Sequence, residues 1–273
     1  MMRQSASAQR LDLLEGGGGQ QDSQTQETKQ LLGSSSKRQH LQPSQRGGNY
    51  YPSGTGQLTH YTLSGPSNGR LAVCIHGMTL ASYTFDDIAK QLAQVGFRVL
   101  RYDLFGRGFS SAPPSGAPCT TRTYVSQLEL LLQGLGLWTE ASRNGVLIGA
   151  SLGGAIAAAF CAAHRDLFNQ LLLIAPIGLP HFSLPTFARI LDAPIVGAPL
   201  SAFLRMCCSR VLRSYILDMF EDTRWHSQLS DDVRHGPNNF VAVYMSTLKR
   251  FEWTSLKHSV YQKLGENQVR SCR

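Results

Sequence analysis

The sequence contains few features of a secreted or membrane-spanning protein. Its six cysteines include no C-x-x-C pair, and Cys74 and Cys161 fall within apolar runs, where thiols act as small hydrophobic side chains. No apolar run approaches the roughly eighteen residues that a membrane-spanning helix requires. These absences predict a cytoplasmic protein in a reducing compartment.

Positive charge is not concentrated in any one segment. The chain has 26 Lys and Arg residues against 18 Asp and Glu residues, but the excess is spread along its length. It forms no basic stripe interleaved with aromatic side chains, so we expect no nucleic-acid binding. The sequence leaves the oligomeric state open.

Signatures of a cofactor or metal site are also lacking. The glycine-rich turn at residues 106–111 lacks the third glycine of a dinucleotide fingerprint, and proline and further loop follow it instead of a helix. His76 ends an apolar run beside a glycine, but no second His, Asp or Glu lies at ligand spacing. We therefore expect no resident cofactor and no metal ion.

Apolar and aromatic residues are scarce in residues 1–57. This stretch carries four consecutive glycines at residues 16–19, many glutamines and almost no aromatic residue before Tyr50. Such a composition cannot bury enough apolar surface to fold, so we predict a disordered tail. Arg3 and Arg10, which lie among serines, leave an organelle-targeting peptide as the alternative.

Beyond residue 57, strand-like and helix-like hydrophobic patterns alternate. The strand-like runs are residues 58–63, 70–75, 97–104, 145–150 and 171–175, and the helix-like runs are residues 82–95, 121–135 and 152–163. Alternation at this spacing predicts an α/β fold over residues 58–176, with a mostly parallel sheet and helices on both of its faces.

The central motif of this region is Gly149-Ala150-Ser151-Leu152-Gly153, which matches G-x-S-x-G between a strand and a helix. In such a nucleophile elbow the serine is strained, and glycine at the flanking positions lets neighbouring backbone approach closely. The helix N-terminus and the Leu152 N–H would favour a negatively charged oxygen beside Ser151. The alternative is that these small residues merely pack a helix tightly on the sheet.

Two further segments accompany this motif. They are His76-Gly77-Met78 and the glycine-rich run of residues 101–110, which contains Asp103. At these spacings the three segments resemble the α/β-hydrolase superfamily, and the resemblance covers roughly residues 58–265. Within the superfamily, the combination resembles the lipase and esterase branch that includes monoacylglycerol lipases and carbon–carbon bond hydrolases.

The resemblance implies a role for each motif. Ser151 would be the nucleophile, and the backbone N–H groups of Met78 and Leu152 would form the oxyanion hole. The other motif residues would shape the backbone around the site: His76, Gly77, Asp103, Gly106, Gly108, Gly149 and Gly153. The implied function is a serine hydrolase that cleaves carboxylic, lipid-like esters through an acyl-enzyme. A carbon–carbon hydrolase or an acyltransferase is an alternative, because fold does not fix function.

The pattern changes after Pro176, where this family inserts a lid. Residues 200–220 are mostly apolar with polar side chains on one helical face, which predicts an amphipathic helix within a helical lid at residues 177–264. An apolar lid favours a substrate with an acyl chain. Weak contact of the lid with a membrane surface, with Cys207 or Cys208 acylated, is the alternative.

The acid and the histidine of a catalytic triad have no recognisable position. In the family they follow the serine on loops after two further strands. Here residues 240–245, the best β-like run, continue at helical spacing, and residues 265–273 are polar and predict an irregular tail. The sheet is therefore expected to lack its last two strands, leaving residues 171–175 as an exposed apolar edge. We interpret the chain as truncated relative to the family.

Five histidines follow Ser151 and could replace the missing base: His164, His181, His226, His235 and His258. His235 lies three or four residues after Asp231 and Asp232, a spacing that can place them on one helix face, although a solvated charged loop is favoured for this segment. Removing the base of a serine hydrolase costs on the order of a million-fold in rate. A catalytically incomplete homologue with a binding role is therefore the second functional hypothesis.

Overall fold

The computed structural model describes residues 47–53, 56–113, 117–178, 214–221, 223–235, 240–252, 256, 260–266 and 270–272. Most of the tail predicted at residues 1–57 lies outside these ranges. Most of the amphipathic helix predicted at residues 200–220 also lies outside them, including Cys207 and Cys208. Of that predicted helix, residues 214–220 are described: residues 214–218 are helical, and residues 219 and 220 form a turn.

Seven strands in the described residues form one sheet, in the order β1-β2-β4-β3-β5-β6-β7. The strands are β1 (Asn49–Pro52), β2 (Leu58–Ser64), β3 (Arg70–Ile75), β4 (Phe97–Tyr102), β5 (Val146–Ala150), β6 (Gln170–Ile174) and β7 (Arg270–Cys272). The β1–β2 and β2–β4 pairs are antiparallel, and the other adjacent pairs are parallel. The carboxyl ends of β3, β4 and β5 therefore meet at one edge of the sheet.

Helices connect these strands and follow them. They are α1 (Asp86–Gln94), α2 (Thr121–Gly134), α3 (Leu152–Ala163), α4 (His226–His235), α5 (Phe240–Arg250) and α6 (Gln262–Glu266), with 3₁₀ turns at Ser82–Phe85 and Glu140–Asn144. The Thr120 side chain caps α2 by accepting a hydrogen bond from the Thr123 N–H. None of the helices in the described part of the chain combines the length and the hydropathy needed to cross a bilayer.

Both faces of the sheet are covered by helices. Along β3, Leu71, Val73 and Ile75 pack in a cluster on one face with side chains of α2 and α3. Ala72 and Cys74 pack on the other face with side chains of α1, because alternate side chains of a strand point to opposite faces. All five residues are buried. This arrangement explains the continuous apolar run in the sequence and confirms the predicted α/β class.

The sheet departs from the prediction at both edges. β1 lies within the stretch assigned to the disordered tail, and its Tyr50 and Tyr51 stand opposite His60 and Thr59 of β2. At the other edge, β7 pairs with residues 170–172 of β6, so the expectations of an irregular tail and an unpaired edge there are wrong. Both strands pair with backbone groups that an open sheet edge leaves free. Pairing of this kind leaves little trace in the side-chain pattern of so short a strand.

Helices α4 and α5 contribute to a separate apolar cluster, called here the cap cluster. Its buried members are Ile216, Leu217, Leu229, Val233, Phe240, Val241 and Tyr244. Met78 and Leu80, in the loop after β3, pack against it. Residues 240–245, the β-like run of the sequence, form the start of α5, as their continuation at helical spacing indicated. The cap cluster thus joins α4 and α5 to the carboxyl edge of the sheet.

Candidate active site

Ser151 occupies a sharp turn between β5 and α3. Its backbone has φ 52° and ψ −114°, a conformation that costs a residue with a side chain about 1–3 kcal/mol. The Ser151 N–H donates to the Ile174 carbonyl at 2.9 Å, and the Ser151 carbonyl accepts from the Gly154 and Ile177 N–H groups at 3.0 and 3.2 Å. These bonds hold the serine in the strand-to-helix turn that its motif predicts.

The two glycines of the motif allow α3 to approach the sheet. A Cβ at Gly149 would overlap the Gly153 carbonyl oxygen, and a Cβ at Gly153 would overlap the carbonyl oxygens of Ile75 and His76. The start of α3 therefore touches the backbone at the ends of both β5 and β3. This approach brings the first N–H groups of the helix, which have no acceptor within it, to the carboxyl edge of the sheet.

The substitution Gly153→Ala tests this close approach. Its methyl group would push α3 away from β3, and we expect the free energy of unfolding to fall by about 3 kcal/mol, as overpacking costs elsewhere. Urea denaturation measures the change. Gly265→Ala is the matched control, because a Cβ there meets nothing within 4 Å, and in α6 it should be neutral or stabilise by up to about 1 kcal/mol. Equal effects of the two substitutions would contradict the contact.

The loop after β3 brings a second N–H group to Ser151. β3 and β5 are neighbouring parallel strands, and a Cβ built on Gly77 would lie 3.5 Å from the Ser151 Cβ. Within the described residues, neither the Met78 N–H nor the Leu152 N–H has a hydrogen-bond acceptor. The two segments that meet at Ser151 thus each carry an N–H group without an acceptor in the described residues.

His76 fixes the peptide that carries the Met78 N–H. The imidazole is fully buried. Its Nδ1 lies 2.7 Å from the Gly77 carbonyl oxygen, and its Nε2 lies 2.9 Å from the Leu104 nitrogen. Because the carbonyl only accepts and the N–H only donates, the ring is neutral with its proton on Nδ1. The Gly77 carbonyl and the Met78 N–H belong to one planar peptide, so His76 sets the direction of this donor.

The buried His76 should make the protein less stable in mild acid. Burial lowers the pKa of His76 from 6.5 to about 4, so the unfolded chain takes up this proton at a higher pH than the folded protein. Stability should fall as the pH drops from about 6.5 to about 4, by on the order of 3 kcal/mol from this residue. Urea denaturation across this window measures the slope. His76→Gln should show a shallower slope, and identical slopes would contradict the assignment.

Asp103 organises the loop after β4. Its carboxylate accepts hydrogen bonds from His60 Nδ1 at 2.8 Å and from the Ser82 and Phe109 N–H groups at 2.9 Å. Burial alone would raise the pKa of Asp103, but the hydrogen bond and charge of His60 and the Phe109 N–H outweigh it and hold this pKa well below its usual range. A Cβ at Gly108, where φ is 49°, would overlap the carboxylate. The loop is therefore built around a buried anion.

Two partners of this loop, His60 and Gln127, were not predicted from the sequence. The Gln127 side chain donates to the Asp103 carbonyl and accepts from the Phe105 N–H, both at 3.0 Å. His60 lies 43 residues before Asp103 in the chain and reaches it because β2 pairs with β4. No local spacing connects these residues. For Gln127 the available signal was a polar residue on the otherwise apolar buried face of α2.

The described histidine side chains that follow Ser151 have no contact with its hydroxyl. Among the described residues, no side chain hydrogen-bonds this hydroxyl. His164 pairs instead with Glu129, with Nε2 2.6 Å from Oε1, and His226 begins α4. The side chains of His181, His235 and His258 lie outside the described part of the chain. Within the described ranges, no group of three or more His, Cys, Asp or Glu residues could hold a metal ion.

The segment from Asp231 to His235 is helical, in contrast to the solvated loop favoured from the sequence. It forms the end of α4, and Asp232 is buried. The helix forms here because Leu229 and Val233, four residues apart, both pack in the cap cluster. The spacing of the two aspartates from His235 is thus a helical spacing.

The sequence matches the model of a known protein family. The family model described as serine aminopeptidase, S33, matches residues 67–231. A serine hydrolase-like protein of Danio rerio is 31% identical over 114 residues, which cover 42% of this chain and 33% of that protein. Epoxide hydrolase 3 of Xenopus tropicalis is 30% identical over 115 residues, which cover 42% of this chain and 30% of the relative. The chain therefore spans about a third of the length of these curated relatives.

Solved structures share the fold over a longer stretch. A carboxylesterase structure from the ammonia-oxidizing thaumarchaeon Nitrososphaera gargenis has a TM-score of 0.61 at 18% identity. The superposition covers 82% of this chain and 78% of that chain. At this level of identity, the likeness concerns the fold alone.

Proposed function

The chain belongs to the serine aminopeptidase S33 family and has the α/β-hydrolase fold, and from this premise we propose that it is a serine hydrolase of carboxylic esters with acyl chains. Ser151 is the proposed nucleophile. The Met78 and Leu152 N–H groups are the proposed oxyanion hole. The placement within the monoacylglycerol lipase branch stays a prediction.

One observation carries the proposal: Ser151 has φ 52°, and the N–H groups of Leu152, which follows it, and of Met78, which follows the neighbouring Gly77, have no acceptor in the described residues. Backbone donors aimed at a developing oxyanion are each worth a factor of about 10²–10³ in kcat. The strain serves no packing purpose, since glycine would adopt the same φ at little cost. A serine kept in this conformation beside two free donors is suited to attack a carbonyl carbon.

The proposed reaction proceeds through an acyl-enzyme. Ser151 Oγ attacks the ester carbonyl carbon while a base takes the hydroxyl proton, and the carbonyl oxygen becomes an anion that accepts from the Met78 and Leu152 N–H groups. The intermediate then collapses, its C–O bond to the alcohol breaks, and the alcohol leaves with the proton from the base. Water attacks the acyl-enzyme in the same way and releases the carboxylic acid and Ser151.

The cap cluster supports a substrate with an acyl chain. Met78 packs both against the core of the sheet and against the cap cluster, so the loop of the proposed oxyanion hole borders an apolar surface. An acyl chain next to the ester carbonyl would gain about 0.8 kcal/mol for each buried methylene group. The family description makes an aminopeptidase-type amide the competing substrate, and the epoxide hydrolase relative makes an epoxide a third.

A homologue that binds an acyl ligand without cleaving it is the second candidate. It is favoured by the observation that, in the described part of the chain, no histidine bonds to the Ser151 hydroxyl. Without a base the hydroxyl remains a weak nucleophile, and the rate would be lower by about a million-fold. The two candidates therefore differ in whether a base activates the Ser151 hydroxyl for attack on the substrate.

A fluorophosphonate probe tests the choice between them. The full chain and Ser151→Ala are incubated with the probe, and intact mass shows whether a covalent adduct forms. We expect the adduct on the wild type alone, and slower labelling of His181→Ala, His235→Ala or His258→Ala would identify the base. Folded wild-type protein that stays unlabelled would refute the hydrolase and favour the binding homologue.

A substrate panel tests the ester preference. The p-nitrophenyl esters of acetate and octanoate are compared with an amino-acid arylamide and with styrene oxide. Faster turnover of the octanoate ester than of the acetate ester supports the acyl-chain substrate. Turnover of the arylamide or the epoxide alone would overturn the ester assignment while leaving the hydrolase in place.

A further inference from the structure

Arg107 is a buried cation with no carboxylate partner among the described residues. Its side chain is 1% exposed. Nε donates to the Met78 carbonyl, Nη1 donates to the Gly106 carbonyl at 3.0 Å, and Nη2 has no hydrogen-bond partner in the described part of the chain. Burying a charge without a counter-ion is costly. The arginine at this position therefore has a role that an apolar side chain of similar size could not fill.

The Arg107 guanidinium donates a hydrogen bond to the carbonyl of Met78, the residue whose N–H is assigned to the oxyanion hole. The peptide before Met78 carries that N–H, and its Gly77 carbonyl is bonded by His76. The peptide after Met78 carries the carbonyl that Arg107 bonds. Because each peptide is planar, two side chains fix the backbone on both sides of Met78.

Helix α5 holds the same guanidinium from another side. The Arg107 Cζ lies 5.1 Å from the ring centroid of Phe240 and 5.6 Å from that of Tyr244, within the range of cation–π attraction. Val243, on the same turn of the helix, packs directly on Gly106, where a Cβ would overlap its side chain. Helix α5 therefore packs against the turn that carries Arg107.

We infer that Arg107 is a positioning residue for the oxyanion hole and that it ties the direction of the Met78 N–H to the placement of α5. The inference deepens the proposed function and rests on it, because it concerns the donor assigned there. Arg107 acts through Met78 and touches no reacting atom. Packing alone would not require a charge, and it would not require a hydrogen bond to the carbonyl next to the donor.

Selective isotope labelling gives a direct view of the Met78 N–H. Gly77-Met78 is the only Gly-Met pair in the sequence, so protein labelled with carbonyl-¹³C glycine and ¹⁵N methionine gives a single carbonyl-to-amide correlation signal. We expect this signal to shift or broaden in Arg107→Leu. It should stay in place in Arg98→Leu, the matched control, whose guanidinium also donates to a backbone carbonyl, that of Ser67 at 3.2 Å, but in an exposed position.

Two further variants keep the test available if Arg107→Leu does not fold. Arg107→Lys keeps the charge but has no Nε–H at this position, so it should also displace the Met78 signal. Tyr244→Leu removes one aromatic contact from the helix side and should displace the signal less. An unchanged signal in the folded Arg107 variants would overturn the inference, whether or not the protein proves to be a hydrolase.

The rate of fluorophosphonate labelling gives the functional readout. The labelling rate of each protein is normalised to the fraction that is finally labelled. The Arg107 variants should then react roughly 10- to 100-fold more slowly than the wild type, because a misdirected N–H donor loses much of its stabilisation of the transition state. Equal rates in folded variants would overturn the inference. A wild type that is not labelled would refute the proposed function, and the Met78 signal would then decide the inference alone.

Discussion

Replacing Ser151 by alanine or by glycine is expected to lower kcat for ester hydrolysis by about six orders of magnitude. Neither side chain offers an oxygen that could attack the carbonyl carbon, so only the oxyanion hole and substrate binding would remain. Hydrolysis of p-nitrophenyl octanoate measures the loss, and absence of the fluorophosphonate adduct checks that no other residue replaces the serine. Residual activity within a hundredfold of the wild type would exclude Ser151 as the nucleophile.

The same two variants should differ in stability, because only glycine relieves the backbone strain. Alanine meets the same steric limit as serine at φ 52°, and releasing that strain is worth about 1–3 kcal/mol. Glycine offsets part of the gain, since its greater freedom in the unfolded chain costs about 0.5–1 kcal/mol. We therefore expect Ser151→Gly to be about 1 kcal/mol more stable than Ser151→Ala in urea. A glycine variant that is the less stable of the two would show that the turn stores no strain.

The elbow and the central strands could be predicted because their signals are local. The apolar run at residues 70–75 and the small-residue helix at residues 152–163 became β3 and α3 with those same bounds. Burial on both faces of a strand, and close approach of a helix to a sheet, each leave a pattern within a few neighbouring residues. The overall fold followed from these patterns together.

The remaining features depend on contacts between distant segments. His60 reaches Asp103 across the β2–β4 pair, and β7 joins the sheet through backbone groups almost a hundred residues after β6. Arg107 lies within the glycine-rich run of residues 101–110, but its hydrogen bond to Met78 and its contact with α5 depend on the tertiary structure. A single sequence shows residue types and spacings, and it does not show which distant groups meet.

The Asp103 carboxylate is expected to make the largest contribution to stability of the side chains around the site. We expect Asp103→Asn to lose about 3–5 kcal/mol of unfolding free energy, because the buried carboxylate accepts three hydrogen bonds that an amide cannot all accept. The asparagine amide would turn a donor toward N–H groups that need an acceptor, either that of Ser82 or those of His60 and Phe109. Asp87→Asn is the matched control: its exposed ion pair with Arg224 should be worth at most about 1 kcal/mol.

The pH dependence of this difference separates charge from shape. Because the pKa of Asp103 is lower in the folded protein than in the unfolded chain, its contribution is present above about pH 4 and is lost as the pH falls below that value. The loss assigned to His76 falls at higher pH, and it differs between the two proteins because the Asp103 charge raises the pKa of His76, so the comparison is made below about pH 4. The stability gap between the wild type and Asp103→Asn should narrow as the pH falls from about 4 toward about 2. A gap that persists unchanged in acid would mean that the loop requires the shape of the side chain and not its negative charge.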